Sequence, residues 1–347
     1  MKCNNIIALG TRILYAKMMH KRIPFQISLR VTEECNQNCS YCLNDYHRRG
    51  VKAPTTKQLL EMIDGFAKLG TKHITLLGGE PFLRNDIHDI VCRIKKHKIN
   101  CSLTTNGRLI DKHIAVLKDL DLLSVSLDGD KFAHDSYRGD GSYEAAIHAI
   151  KVAQTIGVSV QLICTVTNLT DFKLQNLIII AERYNCMLTF ELLNPLFNSD
   201  GTVTLRPEDA GKKEIDLLID YQLKNRNSRI LISTYVLKYV RDWPFSYNVF
   251  RLFRKQIPTS FKPIWCYAGR FSAFIETNGD LMPCCLIRAD YRPVNVFKLG
   301  VKEAWRQMPE NDCVTCRTLG CNMFNALFAL QLSTLFNFLR VAIKKRF

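Results

Sequence analysis

The chain has 347 residues, and its 47% hydrophobic and 23% charged content is that of a globular protein rather than a disordered one. It carries 48 Lys and Arg against 32 Asp and Glu, for a formal net charge of +16. Fourteen cysteines without a recognisable signal peptide argue against a secreted disulfide scaffold and favour metal binding or thiol chemistry in the cytoplasm.

The charge is unevenly distributed along the chain. Residues 221–347 hold a net +13 and residues 1–220 a net +3. Such a surface is either simply solvated or faces an anionic membrane, a phosphorylated substrate or an acidic protein. No recognised nucleic-acid-binding motif is found, so nucleic acid is not an expected partner.

From Phe25 to Leu192, short β-rich runs alternate with amphipathic helical runs, which is typical of parallel βαβ units. Six units are too few for a full eight-fold barrel of about 250 residues. A partial (β/α)6 barrel of the TIM type fits this count. The predicted strands are Phe25–Val31, His73–Leu77, Asn100–Thr104, Leu122–Leu127, Val158–Val166 and Met187–Leu192.

The first predicted strand is followed by Cys35, Cys39 and Cys42 in a Cys-x3-Cys-x2-Cys run. Three thiolates are one short of the usual set for an iron–sulfur cluster, which would leave one iron open to an outside ligand. A structural zinc site instead closes its shell. The alternatives are a zinc knuckle or unrelated buried cysteines.

Polar and glycine-containing motifs follow the other predicted strands. Each motif alone is compatible with an ordinary turn. Together they fall on the rim where such barrels place their active sites. They are Gly78-Gly79-Glu80-Pro81, Thr104-Thr105-Asn106-Gly107, Ser126-Leu127-Asp128-Gly129, Thr167-Asn168 and Glu191.

Beyond the barrel, the pattern predicts a linker over 194–207 and a polar helix over 208–225. Residues 236–264 interleave basic and aromatic side chains, which favours packing against the barrel, stacking on a ligand or contact with a membrane interface.

A second set of cysteines occupies only 56 residues and comprises Cys266, Cys284, Cys285, Cys313, Cys316 and Cys321. Four well-placed thiolates can hold either zinc or an iron–sulfur cluster, and the spacing alone does not decide between them.

The C-terminal segment is predicted to form one amphipathic helix over 326–343, followed by Lys344-Lys345-Arg346. Its polar stripe is Gln331, Thr334 and Asn337, and its uncharged stretch is too short to span a bilayer. Such a helix fits a membrane interface, a cap on the barrel or a dimer contact.

The cysteine run together with Gly78-Gly79-Glu80 resembles the radical S-adenosylmethionine (radical SAM) superfamily, over roughly residues 25–321. The resemblance implies a [4Fe-4S] cluster on Cys35, Cys39 and Cys42 whose open iron chelates S-adenosylmethionine (SAM). An external one-electron donor, a flavodoxin or ferredoxin, would then drive cleavage of SAM to a 5′-deoxyadenosyl radical that abstracts a hydrogen atom.

The resemblance also implies how SAM is held. Gly78, Gly79 and Glu80 would meet its ammonium group, and Ser126 and Arg138 its carboxylate. Arg138 follows the Ser-Leu-Asp-Gly motif as it does in the SPASM/twitch branch of the superfamily. Asn106 and Asn168 would meet the ribose or adenine.

The pattern Cys-x12-Gly-x4-Cys, a gap and Cys-x2-Cys resembles the auxiliary domain called SPASM in its full form and twitch in its shorter form. It implies one auxiliary [4Fe-4S] cluster on Cys266, Cys284, Cys313 and Cys316, with Cys321 spare or a substitute ligand. Cys285 stands where some oxidising members carry an Asp base, so it is either a hydrogen-atom donor or inert packing.

We therefore expect five regions: a basic N-terminal extension (1–24), the barrel (25–206), a connector (207–262), the auxiliary domain (263–324) and the C-terminal helix (325–347). Because only about 24 residues precede the first predicted strand, we expect no peptide-recognition domain before the barrel, which favours oxidation, epimerisation or rearrangement of a small-molecule, sugar or lipid-linked substrate. A peptide (RiPP) maturase that uses a separate recognition protein is the alternative. A non-catalytic iron–sulfur or zinc regulator fits Gly78-Gly79-Glu80 less well. The basic C-terminal part leaves peripheral association with an anionic membrane open.

Overall fold

The computed structural model describes residues 3–42, 52–167, 171–193, 196–197, 203–205, 211–225, 227–286, 291–309 and 313–343. Asn168 and the basic run Lys344–Arg346 lie outside the described residues.

Thirteen strands are found in this part of the chain. They are β1 (Gln26–Thr32), β2 (His73–Gly78), β3 (Asn100–Thr105), β4 (Leu122–Ser126), β5 (Val160–Val166), β6 (Met187–Leu192), β7 (Leu196–Phe197), β8 (Val203–Leu205), β9 (Arg251–Phe253), β10 (Ser272–Ile275), β11 (Asp280–Met282), β12 (Val294–Asn295) and β13 (Cys313–Cys316).

The same residues form thirteen α-helices. They are α1 (Cys3–Met18), α2 (Thr56–Lys68), α3 (Ile87–Lys96), α4 (Ile114–Asp119), α5 (Lys131–Arg138), α6 (Ser142–Ile156), α7 (Asp171–Arg183), α8 (Lys212–Lys224), α9 (Thr234–Arg241), α10 (Val296–Leu299), α11 (Val301–Gln307), α12 (Leu319–Phe328) and α13 (Leu332–Ile343).

Strands β1 to β6 lie side by side in chain order and are all parallel, as expected for a partial (β/α)6 barrel. The six predicted strands are confirmed, with ends displaced by at most two residues. Successive side chains of β1 point to opposite faces of the sheet. Ile27, Leu29 and Val31 lie on the outer face and join the apolar core that contains Leu59 and Phe66 of α2.

The opposite face of these strands is polar. Gln26 donates to the Ser28 hydroxyl at 2.9 Å, and His73 Nε2 lies 3.1 Å from Thr75 Oγ1 and 3.0 Å from Ser102 Oγ. A full TIM barrel fills its interior with branched apolar side chains. The polar interior here is instead suited to a hydrated or ligand-filled lumen.

The segment that contains the second cysteine set extends the barrel sheet. Strand β10 pairs in parallel with β1, and β11 and β12 follow it antiparallel, so the sheet has nine strands in the order β12-β11-β10-β1-β2-β3-β4-β5-β6. Strand β13 pairs with β9 instead. The second cysteine set is thereby fixed beside the first strand of the barrel.

The basic and aromatic connector packs on itself. The rings of Tyr239, Trp243 and Phe261 lie 5.3–6.0 Å apart between centroids, and Tyr239 and Trp243 are buried. These three side chains pack with the apolar core of the barrel, whereas Phe250 and Arg251 of the same stretch line a cavity.

The prediction of one continuous helix over 326–343 is wrong. Helices α12 and α13 meet at a bend of 110°. Leu330 adopts a left-handed conformation with φ 61°, while Gln331 N–H donates to Ala326 O at 3.0 Å and Leu330 N–H to Leu327 O at 3.0 Å. These bonds form a Schellman motif, in which Leu occupies the position that Gly usually takes.

Among the described helices, none is long and apolar enough to cross a membrane by itself. The bent pair α12–α13 is long and apolar enough only when the two helices are counted together.

Candidate active site

Cys35, Cys39 and Cys42 lie in the loop that follows β1, and all three thiols are half-buried. Burial, together with the nearby charges of Glu80, Cys39 and Cys42, raises the pKa of Cys35 to about 11, although a hydrogen bond from Gln37 N–H lowers it. The loop is tied to α5 by a hydrogen bond from Ser40 N–H to Tyr137 O at 3.0 Å. The three thiols therefore share one neighbourhood on the rim.

Gly79 lets the end of β2 run directly against this loop. A Cβ at Gly79 would lie 2.1 Å from Glu34 O and 2.9 Å from Cys35 Cβ, so a larger residue would displace the loop. The contact is continued by Glu80 N–H, which donates to Glu34 O at 2.8 Å. Glycine is thus required for close approach of the two backbones.

Glu80 is fully buried and connects two rim motifs. Its carboxylate accepts hydrogen bonds from Thr105 Oγ1 at 2.8 Å, Asn106 N–H at 2.8 Å and Phe82 N–H at 3.2 Å. Burial raises the pKa of Glu80 to about 7, although these hydrogen bonds lower it. Since two carboxylate oxygens offer about four acceptor positions, one remains for a further donor.

Asn106 fixes the cysteine loop to β3. Its side-chain amide donates to Asn36 Oδ1 at 2.7 Å, and its own Oδ1 accepts from Arg108 N–H at 3.0 Å. The structure therefore places Asn106 beside the cysteines, as the rim prediction requires.

Arg138 lies at the same rim and pairs with Asp128. Its Nε and Nη2 lie 2.6 Å and 3.3 Å from the Asp128 carboxylate, and the ring of Tyr41 lies 5.4 Å from its guanidinium carbon. The Tyr41 hydroxyl and Thr165 N–H also donate to Asp128. Burial favours a higher pKa for Asp128, but the guanidinium beside it holds the pKa below its usual value.

This Asp128 cluster joins the cysteine loop, β5 and the end of α5. Sequence reasoning missed it, although Asp128 stands in the quoted Ser-Leu-Asp-Gly motif. Ser126, the last residue of β4, is half-buried on the same rim.

The second cysteine set comes together from separate segments. Cys266 precedes β10, Cys284 follows β11, Cys313 and Cys316 lie on β13, and Cys321 is in α12. Cys266 is close enough to Cys284, Cys313 and Cys316 for their charges to raise its already high, burial-shifted pKa.

Cys321 belongs to this set as well. Its thiol is within hydrogen-bonding reach of both Cys284 and Cys316, and Cys285 reaches Cys284 in the same way. The predicted four ligands are therefore gathered, and Cys321 stands among them. Clustered thiolates of this kind suit an iron–sulfur or zinc centre.

Between the two cysteine sets lies a cavity of about 480 Å³, which we call the central cavity. Tyr41 and Cys42 form one part of its wall, and Cys284 and Cys285 another. The polar strand face contributes Gln26, Ser28 and Thr165. Its volume is within the range of small-ligand sites, of roughly 300–1,000 Å³.

Glu191 is the only carboxylate among the described residues that line the central cavity. The backbone N–H of Gly320, in the first turn of α12, bonds to it, and burial raises the pKa of Glu191 to about 7. A Cβ at Gly320 would lie 2.0 Å from Glu191 Oε1. The sequence showed Glu191 only as the end of a strand and gave no sign of its partner.

Comparison with known proteins identifies the class. Residues 29–178 match the family model of the radical SAM superfamily, so this part of the chain carries a radical SAM domain. It therefore uses a [4Fe-4S] cluster and SAM, and the three thiols on the rim fit such a cluster because they leave one iron position open.

Among relatives, the chain is 26% identical over 299 residues to the AdoMet-dependent heme synthase of Nitratidesulfovibrio vulgaris, covering 81% of this chain and 78% of the relative. It is 27% identical over 177 residues to the mycofactocin maturase MftC of Mycolicibacterium smegmatis, covering 50% and 45%. The crystal structure of Streptococcus suis SuiB bound to the precursor peptide SuiA has the same fold, with a TM-score of 0.66, 17% identity and coverage of 85% and 68%.

Proposed function

We propose that this radical SAM enzyme modifies a peptide, and that the reacting side chain enters the central cavity. The observation that carries the proposal is the position of this cavity between the two cysteine sets. A side chain there would have Cys42 on one side and Cys284 and Cys285 on the other. The cluster and SAM, when bound, supply a 5′-deoxyadenosyl radical that removes a hydrogen atom from a C–H bond.

A peptide is favoured over the small-molecule, sugar or lipid-linked substrate expected from the sequence. The mycofactocin maturase relative and the peptide-bound SuiB structure both support this class. The cavity volume also suits one reacting side chain rather than a whole peptide, so the remainder would lie outside it. A separate recognition protein would present the peptide.

The geometry of the described rim residues supports the following roles, and that of Asn168 rests on the sequence resemblance alone. The remaining acceptor position of Glu80 would take the SAM ammonium group, and the backbone of Gly78 and Gly79, which runs against Thr32 and the cysteine loop, would border the same ligand. Arg138 reaches Asp128 through Nε and Nη2, which leaves Nη1 to bind the SAM carboxylate beside Ser126. Asn106 and Asn168 would contact the ribose or adenine.

In the auxiliary region, Cys266, Cys284, Cys313 and Cys316 would hold one [4Fe-4S] cluster. Cys285 lines the cavity and would donate a hydrogen atom if the reaction is an epimerisation. An external flavodoxin or ferredoxin would supply the electron, and the net charge of +16 would attract such an acidic partner.

A small molecule remains the second candidate substrate, because the AdoMet-dependent heme synthase covers more of the chain than the maturase does. Under this reading the whole substrate would enter the central cavity.

The test uses the anaerobically reconstituted protein with SAM, dithionite and short peptides encoded beside it. We expect one peptide to increase 5′-deoxyadenosine formation and to change in mass. Ser28→Leu, which places a larger side chain in the cavity wall, should reduce peptide modification, whereas Thr155→Leu on the exposed face of α6 should not. Turnover with a small-molecule extract but with none of the peptides would favour the second candidate.

A further inference from the structure

Helix α13 is attached to the protein through its polar stripe. Thr334 is completely buried, and its hydroxyl lies 2.8 Å from Ser233 Oγ. Asn337 donates to Leu231 O at 2.8 Å. An amphipathic helix normally buries only apolar side chains, whereas the inward side of α13 carries Thr334 and Asn337 beside the buried Val341.

Two large apolar side chains of α13 point outward, while Leu335, Phe338 and Leu339 are half-buried. Leu332 is 81% exposed and Phe336 is 71% exposed, values that are unusual for large apolar side chains so close together. The inward polar contacts hold these two side chains in place, so their exposure is a property of the packed helix.

Helix α1 packs against the α12–α13 bend and exposes apolar side chains of its own. Its inner residues Ile13 and Ala16 pack with Phe328 and Leu330 at the α12–α13 bend, and Lys17 Nζ donates to Phe328 O at 3.3 Å. Leu14, Tyr15 and Met18 on its outer face and Met19 just after it are exposed, with Met18 71% exposed. We call these four residues, together with Leu332 and Phe336, the terminal surface.

Both segments that build the terminal surface are basic and lack acidic residues. In the sequence, residues 1–22 contain five Lys and Arg and no Asp or Glu, and residues 319–347 contain four Lys and Arg and no Asp or Glu. Lys2, Lys344, Lys345 and Arg346 among them lie outside the described residues. Arg12 on α1 and Lys21 just after this helix are both exposed. Exposed apolar side chains combined with cationic ones are characteristic of surfaces that lie in a membrane interface.

We propose that the terminal surface docks the protein peripherally on an anionic lipid bilayer. The apolar side chains enter the headgroup boundary, and the basic residues contact the lipid charges. A second copy is a poorer occupant because it would bring two acid-free basic surfaces together. The proposal does not depend on the substrate of the active site.

The test measures co-sedimentation of the full chain with vesicles of phosphatidylglycerol and phosphatidylcholine at low salt. We expect binding to the mixed vesicles, weak binding to pure phosphatidylcholine, and loss of binding as salt rises to about 0.5 M. Leu332→Ser with Phe336→Ser should lower vesicle affinity at least about tenfold, because two large apolar side chains no longer enter the interface.

Matched variants control for general effects of the substitutions. Phe132→Ser with Phe172→Ser changes two side chains that are 85% and 68% exposed on α5 and α7, and should leave binding unchanged. Charge reversal by Arg12→Glu with Lys21→Glu should weaken vesicle binding. The same change at two exposed lysines elsewhere, Lys57→Glu on α2 with Lys118→Glu on α4, should weaken it less.

The proposal is overturned if the wild-type chain does not bind anionic vesicles at low salt, or if the α13 pair and its control lose binding equally. It is also overturned if sedimentation velocity shows a dimer that Leu332→Ser with Phe336→Ser converts to a monomer without any vesicle binding. The proposal is likewise overturned if the protein does not bind vesicles and its terminal surface instead binds a soluble acidic protein.

Discussion

The two cysteine sets differ in how the chain builds them. Cys35, Cys39 and Cys42 come from one loop after β1, whereas Cys266, Cys284, Cys313, Cys316 and Cys321 come from four separate parts of the fold. The local set has three thiols and borders the polar rim around Glu80 and Asn106. The assembled set has enough thiols to close a cluster completely. The three thiols of the short loop thus leave one iron of a cluster open to a ligand. The set gathered by tertiary structure has enough thiols to leave no iron open.

The largest expected effect is on catalysis through the local set. Changing Cys35, Cys39 and Cys42 together to Ala should abolish 5′-deoxyadenosine formation and reduce iron from about eight to about four atoms per chain. Cys92→Ala, which removes an exposed cysteine on α3, is the control and should keep both iron and activity. An unmutated protein with about four or about twelve iron atoms would contradict the count of two clusters.

The next effect concerns the support of the local loop. Asp128→Asn should destabilise the fold by about 3–5 kcal/mol, because it leaves the Arg138 guanidinium buried without its charge partner. Urea unfolding measures this difference. Glu303→Gln, in an exposed pair with Arg306, should have little effect.

The pH dependence provides an independent check on Asp128. Its pKa is lower in the folded protein than the ordinary value of 3.8, so its stabilisation is present above that value and is lost as the pH falls through the folded pKa. The stability difference between wild type and Asp128→Asn should therefore narrow below about pH 4. A difference that stays constant down to pH 2 would argue against this ion pair.

The comparison also explains what the sequence could predict. The six barrel strands and the local cysteines were predictable because each depends on neighbouring residues: the alternation of side chains in β1, or the spacing of Cys35, Cys39 and Cys42. The rim motifs were predictable because parallel strands end at one edge.

The remaining features depend on contacts between distant residues. Asp128 with Tyr41, and Glu191 with Gly320, join elements whose approach no local pattern encodes. The bend at Leu330 was missed because the stretch contains neither Gly nor Pro, and an apolar run favours one continuous helix. The hydrogen bond from Tyr267 N–H to Asn325 Oδ1 holds the end of α12 in place and could not be foreseen.

A smaller effect is expected on ligand binding at the rim. Glu80→Gln should weaken SAM binding by roughly 1.5–3 kcal/mol, about ten- to a hundredfold, because the ammonium group loses a charged acceptor. Calorimetry measures the affinity, and iron content should remain unchanged. Thr105→Val removes a hydrogen bond to Glu80 but no charge, and should weaken SAM binding less. Equal affinities for wild type and Glu80→Gln would show that Glu80 only supports the backbone.

The smallest effect is expected in the assembled set, where five thiols are gathered and the proposed cluster needs four. Cys321 lies in α12 and reaches both Cys284 and Cys316, whereas Cys266, Cys284, Cys313 and Cys316 match the spacing of an auxiliary cluster. Cys321→Ala should therefore keep about eight iron atoms per chain, while Cys284→Ala should lower the iron content. Because Cys321 and Cys284 are neighbours, general disturbance of the region would affect both variants alike. If Cys284→Ala retains its iron and Cys321→Ala loses iron, then Cys321 on α12 is the cluster ligand and Cys284 is the spare thiol.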